Sequence, residues 1–118
     1  MAKTEHLVIY HNPRCTKSRE TLALLEKKKA KPEIIEYLKT PPTAKELKAI
    51  LKKLGMKAED LVRKQEVLFA VKFKGKNFTE EKWIGVLLKN PSLIERPIVV
   101  KGNKAVIGRP PENVLNLL

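Results

Sequence analysis

The chain has 118 residues, with 25 Lys+Arg against 13 Asp+Glu for a formal net charge of +12, and a single cysteine. That length makes one domain, spanning 1–118, that can bury a core without disulfides or metal, and one cysteine excludes an internal disulfide. No apolar run approaches a membrane span and no charged-then-apolar leader opens the chain, so a soluble, cytoplasmic protein in a reducing compartment is expected.

The positive balance favours an anionic partner. Nucleic-acid binding would call for aromatic residues interleaved with basic ones, or for a known recognition motif, and the sequence has neither. The lysines gather instead as Lys27, Lys28 and Lys29 and as Lys45, Lys48, Lys52 and Lys53, which reads as solvated helix faces.

Leu7, Val8, Ile9 and Tyr10 form a short apolar run, the pattern of a strand buried on both faces. A helix is expected from Thr16 to about Lys29, with Leu22 and Leu25 on one side and Leu24 adjacent. Pro32 resets the backbone, and Ile34, Ile35, Tyr37 and Leu38 read as a second strand. Strand, helix, strand in this order implies a right-handed crossover and parallel pairing, with the top of the first strand facing a crevice.

Thr40, Pro41 and Pro42 end that strand, and Thr43 with Glu46 three residues on forms a capping box. Leu47, Ile50, Leu51 and Leu54 follow at i, i+3, i+4 and i+7 and stop at Gly55, the firmest helix pattern in the chain. Met56 to Val62 reads as a further helical turn leading into Arg63 and Lys64. Glu66 to Phe73 fits a buried helix or a strand, with helix preferred. Thr79, followed by Glu80 and Glu81, caps another helix whose Trp83, Ile84, Leu87 and Leu88 face inward, and Pro91 ends it.

After Arg96 and Pro97, the residues Ile98, Val99 and Val100 read as a strand, Gly102 and Asn103 as a hairpin turn, and Ala105, Val106 and Ile107 as the antiparallel return. Gly108 to Pro111 breaks the strand, and Glu112 to Leu118 reads as a last helix. The expected fold class is α/β: βαβ, a helical insertion at about 43–91, then ββα, on a mixed sheet.

The loop joining the first strand to the first helix reads His11, Asn12, Pro13, Arg14, Cys15, Thr16, Lys17, Ser18, Arg19. A lone cysteine in a small domain is by default a small buried hydrophobe. This one sits where a helix N-terminus presents unpaired N–H groups and partial positive charge, with Arg14, Lys17 and Arg19 close in sequence, and that setting favours a reactive thiolate. A thiolate alone does not make an enzyme, because nucleophilicity falls as basicity falls. A second device must hold the electrophile.

Arg63, Arg96 and Arg109 stand at element ends, and an arginine fork suits a tetrahedral oxyanion. Each alone reads more readily as a surface or ion-pair residue. Together with His11 they suggest an oxyanion pocket, although His11 reads equally as a simple loop residue.

His11-Asn12-Pro13-Arg14-Cys15 with Ser18-Arg19, Tyr37-Leu38 with Pro42-Thr43, Leu61-Val62-Arg63-Lys64, Glu95-Arg96-Pro97-Ile98-Val99-Val100 and Gly108-Arg109-Pro110-Pro111 together resemble the motifs of the glutaredoxin-coupled arsenate reductase (ArsC) family. The resemblance covers nearly the whole chain. It implies a thioredoxin-like fold with a helical insertion, Cys15 as nucleophile, His11 tuning the thiolate, and Arg14, Ser18 and Arg19 stabilising it. Arg63, Arg96 and Arg109 would hold the arsenate, or a similar oxyanion, and Pro97 would be cis beside the site. The implied chemistry uses glutathione as cosubstrate and glutaredoxin as partner, with no bound cofactor or metal, in a monomer. A chain with no resolving cysteine must finish its reduction through an outside thiol. The same motifs also resemble Spx-type regulators, which bind RNA polymerase and usually carry a two-cysteine switch; Ser18 stands where the second cysteine would be. A thiol-redox protein acting on another substrate is the remaining alternative.

Overall fold

The computed structural model describes residues 6–118. Its elements in chain order are β1 (Leu7–His11), α1 (Thr16–Lys27), β2 (Glu33–Glu36), α2 (Ala44–Leu54), α3 (Val67–Lys72), α4 (Glu80–Lys89), β3 (Ile98–Lys101) and β4 (Lys104–Ile107). Short 3-10 segments cover Ala58–Leu61, Pro91–Leu93 and Pro111–Leu117. The described residues divide into two compact units, one of residues 6–40 with 96–118 and one of residues 41–95.

The first unit is a four-stranded sheet in the order β2-β1-β3-β4. β1 pairs parallel with β2 and antiparallel with β3, and β3 pairs antiparallel with β4, so the sheet is mixed as expected. Ile9 lies opposite both Ile34 and Val99. Leu7, Ile9, Leu25, Val99, Val114 and Leu117 form the core, with Leu22, Leu24, Ala30 and Val106 packed on it. β1 is an inner strand and its side chains alternate between buried and half-buried, which is why Leu7 to Tyr10 reads as a continuous apolar run.

Several assignments differ from the sequence reading, the first being β1, which runs through His11 instead of leaving it in the loop. β2 ends at Glu36, because the Glu36 carbonyl accepts the N–H groups of both Lys39 and Thr40 and turns the chain. Tyr37 is then buried while Leu38 is exposed, so neither is a strand residue. α1 stops at Lys27: Lys29 adopts φ 62, its N–H bonds the Glu26 carbonyl, and the Ala30 N–H bonds the Leu25 carbonyl. This is a Schellman closure built on lysine rather than glycine. The last segment is 3-10 rather than α, running Pro111–Leu117 with Pro111, Val114 and Leu117 buried at the three-residue spacing of that helix.

In the second unit, Thr43 caps α2 through the expected box with Glu46, and Gly55 ends it at φ 69 in the left-handed region. Leu47, Ile50 and Leu51 form its buried face. α4 begins at the Thr79 cap and buries Trp83, Ile84, Val86 and Leu87; Leu88, expected inside, is half-buried, and Val86 takes an inward place. Glu66 to Phe73 resolves as helix, with Phe69 buried and stacked on Trp83 at 6.2 Å and 18°. No helix among the described residues is long and apolar enough to cross a membrane.

Candidate active site

The site is built on the first unit, where β1 ends and α1 begins. Cys15 is the N-cap residue of α1, in extended geometry (φ −92, ψ 124) and with no side-chain cap bond. Its sulfur therefore stands beside the first turn of the helix, where N–H groups lack intrahelical partners. The loop is closed beneath it by hydrogen bonds from the Cys15 N–H to the Asn12 carbonyl and from the Arg14 N–H to Asn12 Oδ1, each 3.0 Å. Cys15 is buried and forms no disulfide.

His11 and Ser18 brace this loop from inside. Ser18 Oγ lies 2.6 Å from His11 Nδ1 and accepts the Asn12 N–H at 3.0 Å. Both side chains are buried. Burial pushes the His11 imidazole below its usual pKa; the Glu36 carboxylate opposes that shift, and the Arg19 guanidinium adds to it. Arg19 itself donates to the Pro13 carbonyl at 3.0 Å and to Thr16 Oγ1 at 3.3 Å, clamping the loop to the first helical turn. Arg14 is exposed. Of the residues expected to stabilise the thiolate, Ser18 and Arg19 thus make their hydrogen bonds to the loop that carries Cys15.

Arg109 reaches the sulfur. Its Nη2 lies 3.8 Å from Cys15 Sγ, while its Nε donates to the Arg96 carbonyl at 3.0 Å. The Arg109 backbone is held in turn by Asn113, whose Nδ2 donates to the Ile107 and Arg109 carbonyls at 3.1 Å each. The Arg96–Pro97 peptide is cis, as the resemblance implies, and so is Arg109–Pro110. Arg96 is half-buried, and among the described residues no carboxylate pairs with it.

Gly108 ties these loops to α1. Its N–H donates to the Pro97 carbonyl at 2.9 Å and its carbonyl accepts from Thr21 Oγ1 at 3.2 Å. A methyl group at this position would lie 2.5 Å from Thr21 Oγ1 and 2.9 Å from Pro97 Cγ, so only glycine lets the three segments meet. Thr21 and Asn113 carry no motif in the sequence, and Asn12 and Gly108 stand in motifs without a role of their own. For Thr21 a signal existed: it lies three residues after Ser18, and both polar side chains share the buried face of α1 with Leu25.

Arg63 belongs to the second unit. It follows the Val62 to Ile94 bridge, its N–H bonds the Leu93 carbonyl at 2.7 Å, and its guanidinium sits 2.9 Å from Glu66 and 3.5 Å from Glu95. Its charge is matched within its own unit. Among the described residues no group of three or more His, Cys, Asp or Glu side chains could hold a metal ion.

A mixed sheet of this order, with one cysteine capping the helix after its first strand and a cis proline opening its third, defines a thioredoxin-like protein with a single-cysteine site. The ArsC family model matches residues 10–117, and the chain belongs to that family. It is 48% identical over 117 residues to the uncharacterized protein YfgD of Escherichia coli (strain K12), covering 98% of each chain. It is 43% identical to the arsenate reductase of Haemophilus influenzae, covering 95% of this chain and 98% of the relative. Among solved structures, the arsenate reductase from Vibrio cholerae superposes with a TM-score of 0.91 at 42% identity, over 98% of this chain and all of its own.

Proposed function

We propose that the protein is an arsenate reductase in which Cys15 is the nucleophile. The observation that carries this reading is the Arg109 guanidinium on the Cys15 sulfur at the α1 N-cap, in a chain whose close relatives include arsenate reductases. An arginine fork beside a nucleophilic sulfur binds a tetrahedral oxyanion where the sulfur must attack it.

In the proposed reaction the Cys15 thiolate attacks arsenic(V), and one arsenate oxygen leaves with protons as water. Arg109, joined by Arg96, neutralises the remaining oxygens as the S–As bond forms. Glutathione then adds through its thiol to the arsenic, with loss of a second water. A glutaredoxin thiolate attacks the glutathione sulfur, the S–As bond to glutathione breaks, and its electron pair reduces arsenic(V) to arsenic(III). Water releases arsenite and restores the Cys15 thiol. With no second cysteine in the chain, the reducing equivalents must arrive from outside, which suits a reducing cytoplasm.

Buried His11 and Ser18 act as positioning residues, keeping the Asn12 to Cys15 turn in place. Arg63 is carried as an oxyanion ligand by resemblance, against its ion pairs with Glu66 and Glu95. The test is arsenate-dependent NADPH oxidation with glutathione, glutaredoxin and glutathione reductase. Turnover should stop when glutathione or glutaredoxin is left out. Turnover sustained by thioredoxin and its reductase alone would overturn the assigned reductant.

A further inference from the structure

We propose that the outward face of α3 docks an acidic protein surface with an apolar centre. α3 has six residues, and its inward side is fixed by buried Phe69 against Trp83. On the outward side Val67 is 77% exposed and Val71 is 74% exposed, the two highest exposures among the large hydrophobic residues described. Four residues apart on a helix, they project from one face. Ala70 beside them is also exposed.

Folding gives no reason for valine here. A β-branched residue loses rotamer freedom in a helix, and at an exposed position burial does not repay it. The charged residues nearest the pair in sequence are mostly cationic: Lys64, Lys72, Lys74 and Lys76 are all exposed. Lys64 pairs with Glu59, whereas Lys72, Lys74 and Lys76 make no ion pair among the described residues. Glu66, the one carboxylate between Lys64 and Lys76, is engaged by Arg63.

An apolar centre with a lysine rim selects an apolar partner with a carboxylate rim. A second copy is disfavoured, since two lysine rims would oppose each other. A membrane is disfavoured because a six-residue helix is shorter than the amphipathic helices that lie along a bilayer surface, whereas a protein pocket can enclose two side chains. Single-stranded nucleic acid is disfavoured because valine offers no stacking surface. The proposal goes beyond the Cys15 chemistry, and its test uses no arsenate.

The isotope-labelled full chain is titrated with a synthetic helical peptide bearing leucines on one face and glutamates elsewhere. Parallel titrations use polyglutamate and phosphatidylglycerol vesicles. Amide shifts should cluster from Val67 to Lys76, and Val67→Ser with Val71→Ser should weaken peptide binding about tenfold. Far-UV circular dichroism and unchanged amide signals around Trp83 check that the variant folds. Should it fail to fold, Lys72→Gln with Lys74→Gln and Lys76→Gln replaces it, with weaker binding and a flatter salt dependence expected. Equal affinity for polyglutamate, peptide binding untouched by the variants, binding of vesicles alone, or binding of no probe overturns the proposal.

Discussion

Arg109 spans the two halves of the site: its Nη2 meets Cys15 Sγ at 3.8 Å while its Nε is tied to the Arg96 carbonyl at 3.0 Å. One guanidinium therefore links the nucleophile to the loop that carries the second arginine, using donors on different edges of the fork. Lysine keeps the charge but cannot make both contacts in this geometry. Arg109→Lys should lower kcat/KM by about 10²- to 10³-fold if the group acts mainly in the transition state. Steady-state kinetics checks this, and an effect confined to KM would assign the arginine to ground-state binding.

Gly108→Ala tests the close approach of the loops. The added methyl would meet Thr21 Oγ1 at 2.5 Å and the Pro97 ring at 2.9 Å, so α1 or the Pro97 loop must shift. A loss of about 1–3 kcal/mol in urea unfolding is expected from overpacking, together with reduced activity. Thr21→Ala paired with Gly108→Ala should recover only part of the loss, because the Pro97 contact remains and the Thr21 hydrogen bond to the residue 108 carbonyl is gone.

Asn113→Ala removes both hydrogen bonds that hold the Ile107 and Arg109 carbonyls. At about 0.5–1.5 kcal/mol per bond the stability loss is modest. Because the loop aims Arg109 at the sulfur, activity should fall by more than stability alone explains. Turnover measured well below the unfolding transition separates the two effects.

His11 gives the fold a defined pH response. Burial lowers its pKa in the folded protein from the ordinary 6.5, so the unfolded chain takes up a proton first as pH falls. Stability is untouched above that value, declines as pH drops below it, and levels off only under the folded pKa. His11→Asn should flatten this slope between about pH 7 and 5 while weakening the brace on Ser18. Chemical denaturation across that range gives the readout.

Arg63→Gln distinguishes an oxyanion ligand from a structural ion pair. A structural role with Glu66 and Glu95 predicts lost stability with kcat/KM preserved in the folded fraction. A substrate role predicts the reverse.

The strands, the Thr43 box, the α4 cap and the Cys15 loop are legible in sequence because local chemistry decides each of them: apolar runs, cap residues, and glycine or proline stops. Thioredoxin-like order and family membership follow from motifs spread along the chain, and the fold and family model bear them out. What escapes is set by distant contacts or unusual local choices. Lys29 closes α1 in a conformation that sequence assigns to glycine. Gly108 reads as a strand breaker, whereas its value lies in touching Thr21, 87 positions earlier in the chain. Asn113 looks like an ordinary helix residue until its two carbonyl partners are known. The α1 face likewise looks leucine-driven, yet Ser18 and Thr21 fill its buried positions with hydrogen bonds to the site loops.

The proposed reaction begins with attack of the Cys15 sulfur on arsenate, and arsenate-dependent NADPH oxidation by the wild type and by Cys15→Ser reads out that step. Turnover by the wild type that vanishes in a folded Cys15→Ser protein is the predicted result. Equal turnover by the two, or none by a folded and fully reduced wild type, would contradict it.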